Sequence, residues 1–255
     1  MTTEVTNKRV ALVTVGARKI GAAIAERLAQ DGKDVAVIDL RQADPAETVA
    51  AIEQAVGRSV GDGCDVSDAA AVKAAIGHIQ STLGAPTVLI NDAGILRDDL
   101  IVKMTEDDWD AVMSVHLCGT FSLTREVQAH KVAAKCGRIV NVSSTSALGN
   151  RGQANYAATK AGMQGFAKTL AIELGRYNMM ANAIAPGFIA TEMLRASAER
   201  IRVTFEKYPE VATKEIAAGR PGEPEDVAAA ASFFCSDEAS FISGEVLPVA
   251  GGPRS

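Results

Sequence analysis

Short apolar runs rich in β-branched residues alternate along this chain with longer stretches whose apolar positions recur every three or four residues. Residues 9–15 (RVALVTV) form the first run, and Ile20, Ile24 and Leu28 follow at helical spacing until Asp31 and Gly32 close the pattern. The alternation then predicts a strand over 35–40, a helix over 46–56, a weaker strand over 58–66, and a helix opened by Asp68 and ended by Gly84 and Pro86. Beyond it come a strand over 88–91, a long helix over 106–128, a strand over 138–143, a helix starting near Tyr156, a strand over 181–185, a helix over 224–235 and a last strand near 246–249. Strictly alternating strands and helices imply an α/β fold with a parallel sheet covered on both faces and ligands at the carboxyl ends of its strands. Neither a low-complexity linker nor a shift in composition divides the chain, so one domain over 1–255 is expected, carrying a polar, charged segment at about 191–219.

Composition changes this picture little and excludes a good deal. The 255 residues are 47% hydrophobic and 22% charged with a net charge of −5, enough for an ample core and too acidic, with basic residues too scattered, for general nucleic-acid binding. Cys64, Cys118, Cys136 and Cys235 have no metal-ligand spacing, so no metal site is expected and free, buried thiols in a reducing compartment are. The N-terminal ten residues have no apolar signal core and no later run reaches spanning length, which predicts a cytoplasmic protein with no membrane partner.

The chemistry concentrates in residues 141–160, NVSSTSALGNRGQANYAATK. A strand ends in the paired hydroxyls of Ser143 and Ser144, a polar loop follows, and Tyr156 and Lys160 stand four apart on a small-residue-rich helix, on one face. A phenol is a poor acid-base group until a neighbouring cation lowers its pKa, and Lys160 is positioned in sequence to be that cation. Such a trio can protonate a carbonyl oxygen while a serine hydroxyl orients it. A second signal is the first strand-to-helix turn, residues 14–21, where an α/β sheet holds a nucleotide phosphate at a helix N-terminus. It lacks the G-x-G-x-x-G fingerprint, and Ala22-Ala23 stand where a P-loop needs Lys-Ser/Thr. Eighteen residues beyond Gly21, Asp39 ends the second strand, where a carboxylate can accept from ribose hydroxyls.

Taken jointly, Thr14–Gly21, Cys64-Asp65-Val66, Asn91-Asp92-Ala93-Gly94, the trio Ser144, Tyr156 and Lys160, residues 152–156 (GQANY), residues 185–191 (APGFIAT) and Ser243-Gly244-Glu245 resemble the short-chain dehydrogenase/reductase family along nearly the whole chain. The resemblance is greatest to 3-oxoacyl-[acyl-carrier-protein] reductases and the related 3-hydroxyacyl-CoA dehydrogenases of fatty acid metabolism. It implies a Rossmann-like doubly wound parallel sheet of about seven strands, a substrate lid at about 191–219, and a homotetramer. It further implies hydride transfer between a nicotinamide cofactor and a carbonyl/alcohol pair, the substrate being a small-molecule or carrier-bound acyl thioester and acyl-carrier protein a candidate partner. Tyr156 would then be the acid/base, assisted by Ser144, with Lys160 also holding the nicotinamide ribose. Pro186 and Gly187 would border the nicotinamide, Ile189 would meet its carboxamide, and Thr191 would sit near the pyrophosphate. Asp65 and Val66 would hold the adenine, Gly16, Arg18, Ile20 and Gly21 the phosphate turn, Asp39 the ribose, and Asn91, Ala93 and Gly94 the floor of the cleft.

Four departures from the family pattern bear on function. Val15 and Lys19 take the first two glycine positions of TGxxxGxG, which predicts a displaced loop in which Gly16 takes over the turn, and keeps open the alternative of a cofactor-impaired, non-catalytic or regulatory member. Asp92 replaces the second Asn of NNAG, and His116 stands where the family often carries a relay Asn, which makes it a candidate fourth catalytic residue. The loop before Tyr156 is one residue short, so counting back thirteen residues from Tyr156 selects Ser143, whereas strand register selects Ser144, the choice preferred here. Asp39 favours NAD as cofactor, with NADP the alternative because Arg18, Lys19 and Arg41 are near in sequence.

Overall fold

The computed structural model describes residues 8–16, 19–42, 44–55, 57–190 and 216–253, with the backbone alone at 131–134. Seven parallel strands form one sheet in the order β3-β2-β1-β4-β5-β6-β7. In chain order these are β1 (Val10–Thr14), β2 (Asp34–Asp39), β3 (Ser59–Gly63), β4 (Pro86–Asn91), β5 (Gly137–Val142), β6 (Met179–Pro186) and β7 (Val246–Val249). The helices between them are α1 (Lys19–Gln30), α2 (Ala46–Ala55), α3 (Ala69–Thr82), α4 (Glu106–Met113), α5 (Gly119–Ala134), α6 (Ala154–Leu174) and α7 (Pro224–Phe234). The order reverses between β1 and β4, which opens a crevice at their carboxyl ends, the place where such sheets bind ligands.

The central strands read as nearly continuous apolar runs because both of their faces are covered. Ala11 and Val13 of β1, with Val35 and Val37 of β2, pack with Ile24, Leu28, Val227 and Ala231 of α1 and α7. The alternate residues Leu12, Ala36 and Ile38 pack on the other face with Val72, Ile76, Leu123, Val127 and Leu170 of α3, α5 and α6. Asp68 caps α3 through the Ala70 amide at 2.8 Å, as its position before the apolar run predicts. Among the described residues no helix is long and apolar enough to cross a membrane.

Three differences from the sequence reading matter. The helix expected over 106–128 is α4, a π-turn at Ser114–Cys118, then α5 running to Ala134; the extra residue in that turn is invisible to a periodicity that continues on either side of it. Of the four cysteines expected to be buried, only Cys64 and Cys235 are, and Cys118 is exposed. The third difference lies in the first turn. Gly16 does not take it over: Val15 (φ +52°) and Lys19 (φ +41°) themselves adopt the left-handed conformation that glycine favours. Gly16 serves close packing instead, since a Cβ there would stand 2.6 Å from Val37 Cγ1, and one on Gly21 would stand 2.3 Å from the Val15 carbonyl oxygen.

Candidate active site

Side-chain amides lock α6 onto the sheet and so fix where its functional groups point. Asn91 at the end of β4 donates Nδ2 to Asn141 Oδ1 on β5 at 2.9 Å, and Asn141 donates its own Nδ2 to the Met163 carbonyl of α6 at 3.1 Å. At the start of α6, fully buried Asn155 donates to the Arg97 carbonyl at 2.9 Å and the Asp108 carbonyl at 3.3 Å, while its Oδ1 accepts from the Tyr156 amide at 2.8 Å. Gln153 donates to Asp98 Oδ2 at 2.8 Å. Each bond satisfies a buried polar group, so the helix has one seating on the sheet rather than a range of them.

That seating separates the two serines. Ser143 is buried, donates its hydroxyl to the Lys160 carbonyl at 2.8 Å and accepts from Gln164 Nε2 at 3.0 Å. Ser144 is half-buried, accepts from the Ser146 amide at 3.1 Å, and hydrogen-bonds the Tyr156 phenol. Burial pushes the phenol up to about 12, against which the Ser144 bond acts in the opposite direction, and Asp92 and Asp98 add to the rise. Lys160 is buried; its ammonium donates to the Val142 carbonyl at 2.7 Å and lies 5.4 Å from the Tyr156 ring centroid. The depressed phenol expected from a lysine neighbour is therefore not found, because loss of solvent outweighs the Ser144 hydrogen bond. The proton stays on Tyr156, the state from which it can be given to a carbonyl oxygen.

Around this trio the other singled-out residues divide by what occupies them. His116, on the π-turn, is buried edge-on to Tyr156 with ring centroids 5.4 Å apart, and its Nε2 lies 3.0 Å from both the amide and the carbonyl of Ile95. Burial first, then the Lys160 charge, push it down to about 3, so it is neutral and wedged against Gly94, where a Cβ would stand 2.4 Å from its Cε1. Its Nδ1 is buried without a hydrogen-bond partner. The Asn91 side chain is committed to the sheet as described, and exposed Asp65 accepts from the Ser67 amide and hydroxyl at 2.9 and 2.6 Å, while Val66 is buried beside it. Thr14 Oγ1 accepts from the Asp92 and Ala93 amides, both at 2.8 Å, tying that turn across the crevice to β1. Pro186 ends β6, Gly187 packs on Ala250, and the bridge from Ile189 to Gly222 turns the Ile189 amide away from Gly222. Ile20 opens α1 half-buried beside the crevice. Arg18, Thr191 and the part of the expected lid at 191–215 lie outside the described residues.

Whether the crevice suits a dinucleotide is tested by Asp39. Its carboxylate is buried at the end of β2, Oδ1 accepts from the Leu40 amide at 2.8 Å, and Oδ2 has no hydrogen-bond partner. A buried, unpartnered carboxylate oxygen is costly unless a donor arrives, and a ribose hydroxyl is such a donor.

A family model described as enoyl-(acyl carrier protein) reductase matches residues 16–253. The chain is a short-chain dehydrogenase/reductase. Among its relatives, the short-chain reductase protein NovJ of Streptomyces niveus is 45% identical over 98% of this chain and 97% of its own. The 3-oxoacyl-[acyl-carrier-protein] reductase FabG of Pseudomonas aeruginosa is 40% identical over 96% of each chain. A (3R)-3-hydroxyacyl-CoA dehydrogenase of Canis lupus familiaris is 38% identical over 95% of each. For a short-chain dehydrogenase/reductase whose glycine fingerprint is broken, the backbone of the nucleotide turn is the informative feature, and Val15 and Lys19 keep it left-handed. Sequence reasoning overlooked Asn155, Asn141 and Gln153. Asn155 precedes Tyr156 directly, and an Asn at the start of an otherwise alanine-rich helix is the signal that could have found it.

Proposed function

We propose that this short-chain dehydrogenase/reductase transfers a hydride between a nicotinamide cofactor and the carbonyl/alcohol pair of a 3-oxoacyl or 3-hydroxyacyl thioester, with reduction of the 3-oxo group as the reference direction. The observation that carries the reading is the hydrogen bond between Ser144 and the protonated Tyr156 phenol, with Lys160 beside them at the carboxyl end of the sheet. The nicotinamide supplies or accepts the hydride. Tyr156 gives its proton to the substrate oxygen as the carbon is reduced, and Ser144 holds that oxygen by its hydroxyl. Lys160 attracts the negative charge that the phenol acquires and would hold the nicotinamide ribose. His116, neutral and braced against Gly94, positions the Tyr156 ring. Asp39, with a free carboxylate oxygen, favours NAD over NADP, since a 2′-phosphate would meet a buried anion. The FabG and 3-hydroxyacyl-CoA dehydrogenase relatives support the thioester class.

The test is incubation of the purified protein with acetoacetyl-CoA and NADH or NADPH, following the reduced-nicotinamide absorbance. We expect consumption with a lower Michaelis constant for NADH, a gap that Asp39→Ala narrows. No consumption with either cofactor removes the thioester reading, and better use of NADPH removes the assignment of Asp39. The same reading includes a cytoplasmic location, an acyl-carrier protein as substrate carrier, and a homotetramer that light scattering would detect.

A further inference from the structure

Asp92 puts a carboxylate where the family has an amide and where a dinucleotide's phosphates are expected. It follows β4 directly, at the reversal of strand order, and its backbone is pinned to the end of β1 through Thr14. Its Oδ2 lies 3.1 Å from the point where a Cβ on Gly21 would stand, against the first turn of α1. Three titratable groups face it from other elements: Lys160 of α6, which attracts it, Asp39 of β2, which repels it, and the Tyr156 phenol of α6, which its charge helps keep protonated. Burial raises the Asp92 carboxyl and lowers the Lys160 ammonium, and the opposite charge of each offsets part of the other's shift. The Lys160 ammonium meanwhile donates to the Val142 carbonyl at 2.7 Å and feels the Asp92 charge through space. A dinucleotide brings two phosphate charges toward the same crevice, where an ionised, half-buried carboxylate would oppose them.

We propose that Asp92, set against the first turn of α1, takes up a proton as the dinucleotide binds, which removes the opposing charge. The inference rests on the dinucleotide reading above. Protonation turns an acceptor-only carboxylate into a hydroxyl donor with a remaining carbonyl, so the side chain then resembles the amide that the family uses at this position. Ligand affinity consequently falls as pH rises, by up to about tenfold per pH unit wherever the free and bound proteins differ by one proton. Asp92→Asn carries the neutral form permanently and keeps the shape of the side chain.

The experiment uses the full chain with ADP-ribose and NADH as probes, first by calorimetric titration below and above neutrality. Difference infrared spectroscopy of the free and loaded protein then locates the proton, because a protonated carboxyl group has a carbonyl stretch that a carboxylate lacks. The expected result is a new carboxylic-acid band on loading the wild-type protein, absent for Asp92→Asn, together with severalfold tighter binding by the variant above neutrality. Binding without a new acid band in the wild-type protein overturns the proposal, and so does a band that persists in Asp92→Asn. Failure of both proteins to bind either probe overturns the dinucleotide reading itself, and this inference with it.

Discussion

Gly94→Ala tests whether His116 is the wedge that braces Tyr156. Gly94 has an ordinary φ, so the backbone itself admits alanine, and the objection comes from one neighbour. The new Cβ would stand 2.4 Å from His116 Cε1, 3.1 Å from Nε2 and 3.2 Å from Nδ1, against about 3.5–4.0 Å for an ordinary contact. The imidazole cannot yield easily, because it is 1% exposed, bonded to Ile95 and packed edge-on to Tyr156. Overpacking of this kind costs about 1–3 kcal/mol, and loss of the Ile95 bond adds about 1. His116→Ala alone should also destabilise, by roughly 2–4 kcal/mol, through the cavity and the unpaired Ile95 amide. In the double variant the alanine methyl enters the space the imidazole vacates, so the combined loss should fall short of the sum by at least about 1 kcal/mol. Urea denaturation of the four proteins at one concentration measures this coupling. Additivity within about 0.5 kcal/mol would show that the imidazole moves aside freely, and the positioning role would go with it.

Tyr156→Phe keeps the ring packing and removes the proton, so turnover should fall by about 10²–10⁴-fold while thermal unfolding is nearly unchanged; normal turnover would take Tyr156 out of the mechanism. Lys19→Gly relieves about 1–2 kcal/mol of left-handed strain at an exposed position, against about 0.5–1 for the added freedom of glycine in the unfolded chain. It should therefore hold or raise stability, whereas Val15→Gly, which also loses a half-buried side chain, should be close to neutral; denaturant midpoints that drop sharply for both would contradict the backbone assignment. His116 has a folded pKa depressed from 6.5 to about 3, so the unfolded chain binds the extra proton between those values. Its contribution to stability is complete above 6.5 and is lost as pH falls toward 3, by up to about 1.4 kcal/mol per unit, a slope that should shrink in His116→Asn when urea midpoints are compared across that window.

The sheet and the order of its elements were legible in the sequence because buried parallel strands must be apolar on both faces and the helices between them on one. Element ends moved by a few residues. The π-turn was hidden because a one-residue insertion leaves the apolar spacing intact on each side, yet it is the turn that carries His116. Strand register prefers Ser144 over Ser143, and the hydrogen bonds differ as well: Ser143 is spent on the Lys160 carbonyl and Gln164, while Ser144 meets the phenol. The direction of the Tyr156 shift was not legible, since a sequence shows the cation four residues away but not the solvent that burial removes. Residue type also misled at the first turn. A missing glycine pattern reads as a missing conformation, whereas Val15 and Lys19 hold that conformation despite their side chains.

The amide chain from Asn91 through Asn141 to the Met163 carbonyl has a consequence for how this protein wears out. Apolar packing alone would let α6 creep along the sheet under heat or mild denaturant, degrading the alignment of Tyr156 with Ser144 by small degrees. Directional bonds of this kind either fit or break, and a slide of one residue would strand several buried amides together. The spacing of the trio is therefore kept up to the point where the sheet itself opens, so the alignment should be lost in one step with the fold and not before it.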